Sequence, residues 1–316
     1  MTESRAVELA SDARDGALVE LGKADSDLLL FDAESPRTAA TPPFGRAFPK
    51  RFARVGAMPL AMFSIAAGAA AGGRTVFATT SARLAAGLAY PIIREAICHE
   101  RSNVKIVATR SEAAGTAETL PPMIEDVGVM RGLPAMTVVV PADAPATRSA
   151  LRAVARQDGP AYVRLSAGPL PVVTDGEFRI GRAAELAAGD DLTIVAVGPP
   201  VAMALDAAAD LARVGISVRV LDFASIKPFD APALLRAARD TGAILVLEEH
   251  SVLTGVGALV AATTSENYPV PVRRVGIPDL FGDPFATGAG PARRILSREQ
   301  VRGEAWELLR GRGKVQ

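Results

Sequence analysis

The residues able to do chemistry are few. The chain has 316 residues, with two histidines and one cysteine. His250 directly follows Glu248 and Glu249, at the C-terminal end of an apolar run that reads as a buried strand. Ligands in open α/β sheets bind beyond the carboxyl ends of the strands, so an imidazole there is a candidate substrate contact. The competing reading is a histidine satisfied at a boundary between domains or subunits. Cys98 and His99 are neighbours at a helix end. Adjacent helical residues project about 100° apart, so the two do not form a thiol–imidazole pair, and Cys98 reads as structural. Gly255-Val256-Gly257 precedes a helix as a dinucleotide loop does. However, Val260 stands where the third glycine belongs and no acidic residue is well placed downstream, so tight helix packing is the better reading. Glu125 and Asp126 open a helix, where the dipole favours acids. Gly189-Asp190-Asp191 reads as a turn. The sequence has no Walker-type loop and no nucleophile elbow.

Composition excludes further classes. Lys and Arg number 35 against 35 Asp and Glu, a formal net charge of zero. Nucleic acid and anionic membranes both attract clustered positive charge, so neither is expected as a partner. One cysteine excludes an intramolecular disulfide and a cysteine-cluster metal site, and two histidines leave no basis for a histidine-rich one. The first thirty residues mix charged and apolar positions, unlike a signal core. The apolar stretch from Pro59 to Gly73 is too short and glycine-rich to span a bilayer, which needs about 20 residues. A cytoplasmic globular protein is expected.

These residues must be positioned by alternating elements. Helical spacing is read over Val7–Leu21, Met58–Ala71, Ala82–Cys98, Ile124–Arg131 and Ala144–Arg156. Between them lie strand-like runs at Leu28–Phe31, Thr75–Thr79, Val104–Thr109, Met136–Val140 and Ala161–Leu165. Apolar strands alternating with helices predict a mostly parallel sheet covered on both faces. Gly168 to Gly181, with Pro169, Pro171 and a turn at Asp175-Gly176, reads as a linker with a small hairpin. Alternation then restarts through strands at Leu192–Val197, Ser217–Leu221, Ile244–Leu247 and Val272–Val275, and ends in a helix at Ser297–Leu309. The fold class is therefore α/β with two doubly wound domains: residues 1–168, a linker at 169–189, and 190–316.

Longer words of the sequence then resemble a family. Asn103-Val-Lys-Ile-Val107, Ile124 through Asp143 (IEDVGVMRGLPAMTVVVPAD) and Gly159-Pro-Ala-Tyr-Val-Arg-Leu165 look like the pyrimidine-binding domain of transketolases. Leu221 to Asp230 (LDFASIKPFD), Leu247-Glu-Glu-His-Ser251 through Gly257, and Val272 to Gly282 (VRRVGIPDLFG) resemble the transketolase C-terminal domain. Gly16 to Asp32 and Ala47 to Gly56 fit as well. The likeness runs nearly end to end and is closest to the separately encoded C-terminal half of a split transketolase.

That resemblance implies half of an enzyme. The family uses thiamine diphosphate with Mg, held mainly by a Gly-Asp-Gly…Asn motif on the N-terminal half. The motif is absent from this sequence, so a partner subunit would supply it, in a heterotetramer of two plus two. The implied reaction moves a two-carbon ketol or acyl unit from a keto donor to an aldehyde or keto acceptor. The family glutamate that bonds the aminopyrimidine falls in a stretch reading here Gly56-Ala57-Met58-Pro59-Leu60-Ala61-Met62, with Pro59 in its place. The Phe-x-x-Phe platform reads Ser81-Ala-Arg-Leu84. The histidine stretch reads Gly115-Thr-Ala-Glu-Thr-Leu-Pro-Pro122, with Pro121 at the histidine. Met58, Pro59, Ser81 and Leu84 would thus face the cofactor, while Gly115, Thr116, Glu118, Pro121 and His250 would border the substrate channel. With these replacements the catalytic residues stay unassigned. Three readings remain: a diverged transferase subunit, expected to be inactive without its missing half; a catalytically degenerate structural or regulatory subunit; and a free-standing α/β binding protein.

Overall fold

The structure, a computed structural model, describes residues 5–33, 42–56, 58–109, 123–166, 168–279 and 296–313. The strands in chain order are β1 (Val7–Leu9), β2 (Leu29–Asp32), β3 (Phe52–Arg54), β4 (Val76–Ser81), β5 (Val104–Thr109), β6 (Thr137–Val139), β7 (Ala161–Leu165), β8 (Pro169–Pro171), β9 (Ala184–Ala187), β10 (Leu192–Val197), β11 (Val218–Asp222), β12 (Ser225–Lys227), β13 (Ile244–Ser251) and β14 (Val272–Ile277). The helices are α1 (Ala10–Ala24), α2 (Pro43–Ala47), α3 (Pro59–Ala71), α4 (Tyr90–Ile92), α5 (Asp126–Arg131), α6 (Ala144–Ala155), α7 (Pro200–Ala212), α8 (Ala231–Thr241), α9 (Val256–Asn267) and α10 (Arg298–Arg310).

Two sheets organise the chain, as the alternation predicts. The first has seven strands in the order β12-β6-β7-β5-β4-β2-β3, the second five in the order β14-β13-β10-β11-β9. Within the first, β2 through β7 are parallel, and in the second β10, β11, β13 and β14 are parallel. Parallel strands need crossovers that cover both faces, which is why β4, β5, β7 and β10 are buried along almost their whole length. One apolar cluster runs through both halves. It joins Val138 and Val140 of the first to Val195, Val197, Leu221 and Phe223 of the second. A second cluster lies under α1 and α6, and a third joins α7 and α10 to the outer face of the second sheet.

The expected elements recur, with α2 and β3 added and with the following differences. Val7–Leu9 is a strand ahead of α1, pairing antiparallel with Pro169–Pro171. The segment read as a small hairpin therefore pairs with the chain's beginning, and Ala184–Ala187, placed in the same linker, adds an antiparallel edge to the second sheet. A proline donates no ladder hydrogen bond, so Pro169 and Pro171 suit a short two-stranded edge. The predicted helix Ala82–Cys98 is broken into wide π-type turns at Arg83–Leu88 and Ile93–His99 around α4. Pro91 lacks the N–H that a regular helix needs at that point. Finally, β12, from the second half, crosses to the edge of the first sheet beside β6. Lys227 Nζ holds it there, donating to the carbonyls of Arg131 at 3.1 Å and Leu133 at 2.6 Å.

Candidate functional site

The first sheet's register brings polar side chains to its carboxyl edge. Arg54 and Asp32, the last residues of β3 and β2, are cross-strand neighbours, and Asp32 also pairs with Thr79 of β4. Asp32 is buried; it accepts from Thr79 Oγ1 at 2.9 Å and Arg54 Nε at 3.2 Å. Thr80, fully buried beside them, has an Oγ1 without a hydrogen-bond partner. A charged residue closing an apolar strand was the visible signal for Asp32. Its partner Arg54 is decided by sheet order alone.

The residues expected to face the cofactor lie at this same edge. Gly56 adopts φ +69° and Met58 N–H donates to its carbonyl at 2.7 Å, a tight turn that aims the chain into α3. Met58 precedes the helix and is 61% exposed, whereas Pro59, the first helical residue, is buried. Proline is favoured there because the first-turn N–H has no intrahelical partner. Ser81 ends β4 and its Oγ accepts the Leu84 N–H at 3.3 Å, which starts the first wide turn. That turn packs on α3 and β4. Met58, Pro59, Ser81 and Leu84 thus sit on three touching elements. Gly115, Thr116, Glu118 and Pro121 lie outside the described residues.

His250 belongs to a buried junction between the halves. It is 1% exposed, and its Nε2 lies 3.0 Å from Arg164 NH1, so the guanidinium donates to the ring. Arg164, fully buried at the end of β7, also lies 3.8 Å from Asp126 Oδ2 and 3.9 Å from Glu249 Oε2. Asp126 accepts the Tyr162 hydroxyl at 2.6 Å, and burial, then the Asp126 charge, holds that phenol well above its usual pKa. On the other side, His250 Nδ1 is 3.8 Å from Glu248 Oε2. Sequence reading named His250 and Asp126 but missed Arg164, whose signal was a charge inside an otherwise apolar strand.

Glu248 explains the glycines ahead of α9. Its carboxyl oxygens accept the N–H groups of Val256 at 2.6 Å and Gly257 at 2.8 Å. A Cβ on Gly255 would fall 2.0 Å from Glu248 Oε2, and one on Gly257 2.9 Å from Oε1. The chain's own carboxylate thus fills the anion position at this helix N-terminus, in keeping with tight packing rather than a nucleotide loop. Burial raises the Glu248 pKa to about 7 against the lowering effect of those two hydrogen bonds.

Comparison with known proteins assigns both halves. Residues 10–172 match the family described as transketolase, pyrimidine binding domain, and residues 181–301 match transketolase, C-terminal domain. The chain belongs to the transketolase family. It is 34% identical to a putative transketolase C-terminal section of Methanocaldococcus jannaschii, over 91% of this chain and 90% of that protein. It is 36% identical to one of the subunits of an apulose-4-phosphate transketolase from Phocaeicola vulgatus, covering 83% and 85% of the two chains. A split-gene transketolase, solved as an inactive beta4 tetramer, superposes with a TM-score of 0.87 at 40% identity, over 96% of this chain and 98% of that one. Transketolase of Leishmania mexicana shares the fold at a TM-score of 0.79 and 23% identity, and this chain covers 98% of itself but 47% of that protein. The transketolase-like chain is thus a counterpart of separately encoded C-terminal subunits.

A transketolase family member implies thiamine diphosphate, and this edge fits that group only in part. Met58 and Leu84 offer apolar surface to an aromatic ring. The resemblance places the carboxylate that would bond the ring nitrogen at Pro59, which has no side-chain donor or acceptor. Asp32 is engaged by Thr79 and Arg54. Neither Pro59 nor the engaged Asp32 offers a free acid at this edge, and no chemical step is derived through the cofactor from this chain.

Proposed function

We propose that this chain is one subunit of a cytoplasmic, heteromeric, transketolase-like transferase. It would move a two-carbon ketol or acyl unit between a keto donor and an aldehyde or keto acceptor. An N-terminal-half subunit, in a two-plus-two assembly, would hold most of the thiamine diphosphate and Mg. In this reading the subunit divides into residues 1–168, a linker at 169–189 and 190–316, a division supported by the family matches at 10–172 and 181–301, with Met58, Pro59, Ser81 and Leu84 at the cofactor edge. Gly115, Thr116, Glu118 and Pro121 are assigned to the channel side, whereas the sequence-based expectation for His250 gives way to a place in the buried junction, where Arg164 takes its Nε2.

The observation that carries the partnership is α3. The helix contains no charged residue, yet Leu60 and Ile65 are 44% and 50% exposed, with exposed Leu88 on the wide turn packed against it. A helix apolar on all sides is ordinarily enclosed, so this face calls for a covering subunit next to the cofactor edge. The relatives named as transketolase subunits support the same reading.

Pro59 favours a second reading, a degenerate subunit that folds and assembles without catalysing. One experiment separates the two. The chain is co-expressed with its N-terminal-half partner, the complex is titrated with thiamine diphosphate and Mg, and turnover is followed over a panel of keto donors. Saturable cofactor binding with turnover supports the transferase. Stable assembly without turnover of any donor rejects it in favour of the degenerate subunit, and a chain that stays monomeric beside the partner rejects both.

A further inference from the structure

The second sheet carries a polar cavity that the transferase reading leaves unused. β11 ends at Asp222, which is 5% exposed. Its carboxyl takes the backbone N–H of Ala224, while Oδ1 is buried without a hydrogen-bond partner. Beside it lies a cavity of about 490 Å³ between the linker and α8, bordered by Arg179, Arg182, Arg236, Glu177 and Asp230. Asp230 is committed: it accepts the N–H groups of Ala183 at 3.0 Å and Ala233 at 3.0 Å. None of the three guanidinium groups has a hydrogen-bond or ion-pair partner among the described residues.

A buried polar atom without a partner costs about 1–3 kcal/mol, and three exposed arginines without a partner among the described residues concentrate positive charge around one space. An anion with several oxygens relieves both. The guanidinium fork matches phosphate geometry better than it matches a monatomic anion. The position also obeys the rule that open α/β sheets bind ligands beyond the carboxyl ends of their strands.

We propose that this cavity binds the phosphate group of a small molecule, with Arg179, Arg182 and Arg236 on its oxygens and the buried Asp222 carboxyl donating to it. The site is independent of the assignment of the transferase reaction. Burial, reinforced by the Asp143 carboxylate, pushes the Asp222 pKa up to about 8, so the carboxyl is protonated and a donor at neutral pH. The charged groups facing Asp222 are Asp143 at the start of α6, Glu177, Arg179 and Arg182 of the linker, and Asp230 and Arg236 of α8. Asp143 is itself held by the N–H groups of Ala146, Val173 and Thr174 at 2.9, 2.8 and 2.7 Å. A phosphate monoester has its second pKa near 6 and remains a dianion above it. Raising the pH through 8 therefore turns Asp222 from donor to repelling charge.

Calorimetric titration of the full chain with inorganic phosphate and with glycerol phosphate tests this. Binding of either ligand is expected at pH 7, weakening about tenfold by pH 9 as Asp222 ionises. Equal affinities would identify free phosphate as the ligand, and tighter glycerol phosphate a phosphorylated metabolite. Asp222→Asn keeps a neutral donor, so it should retain binding at pH 7 and abolish the weakening. Arg182→Ala and Arg236→Ala, at exposed positions, should each weaken binding about tenfold or more with the melting temperature unchanged. Absence of saturable binding of both ligands, or binding indifferent to both arginine variants, overturns the proposal.

Discussion

The carboxyl edge of the first sheet and the buried junction around Arg164 treat charge in opposite ways. At the edge, Asp32 and Arg54 form a pair in which the arginine side chain keeps 25% of its surface in water, next to exposed Met58. At the junction, Arg164 and Asp126 have no exposed side-chain surface, and the contacts run on through His250 towards Glu248. A pair near water gains little because solvent screens it. A buried charge is expensive unless its partners are all in place, so losing one member is severe. The edge can therefore change its residue types cheaply, whereas the junction constrains both halves at once.

The largest break in that contrast is Arg164→Ala. It takes the cation from buried Asp126 and the donor from His250 Nε2, with an expected loss of about 3–5 kcal/mol in chemical denaturation. A loss below about 1 kcal/mol would remove the distinction between the two regions. Tyr162→Phe is next. It strips the donor from Asp126 Oδ2, and unfolding curves should show about 1–3 kcal/mol of destabilisation. Gly255→Ala belongs in the same range, about 1–3 kcal/mol by thermal or urea unfolding, because its methyl group would collide with Glu248. Combining it with Glu248→Ala should recover part of the steric loss.

Titration sharpens the comparison further. Glu248 and Asp222 both have folded-state pKa values raised by burial, from 4.5 to about 7 and from 3.8 to about 8. Between those limits the folded chain holds protons that the unfolded chain has released. Their stabilising contribution is therefore complete below about pH 4 and is lost as pH rises through 7 to 8. Melting temperatures should fall over that interval by their share, and Asp222→Asn should flatten the curve. The smallest effect belongs to the edge: Asp32→Asn is expected to cost about 1 kcal/mol or less by urea unfolding, since Thr79 can still donate to the remaining carbonyl oxygen.

Much of the scaffold was legible because parallel strands are buried on both faces. Val104–Thr109, Ala161–Leu165 and Leu192–Val197 have the same limits in the sequence reading and in the structure. The helix across Ala82–Cys98 was not legible, since periodicity persists through Pro91 while the backbone must widen around it. The strand nature of Val7–Leu9 and Ser225–Lys227 was hidden for another reason. Three-residue edges carry no periodic signal and exist only because a distant partner offers its hydrogen bonds.

The sequence by itself determined the two α/β halves, their order and the family words. Such features are local: period, turn chemistry and residue identity are written along the chain. Only the tertiary structure decided that Arg54 meets Asp32, that Arg164 reaches His250 from 86 positions away, and that Asp222 lies beside three arginines without a partner among the described residues. Burial and the pKa shifts that follow depend on which strands become neighbours, and strand order is set by the packing of the whole chain.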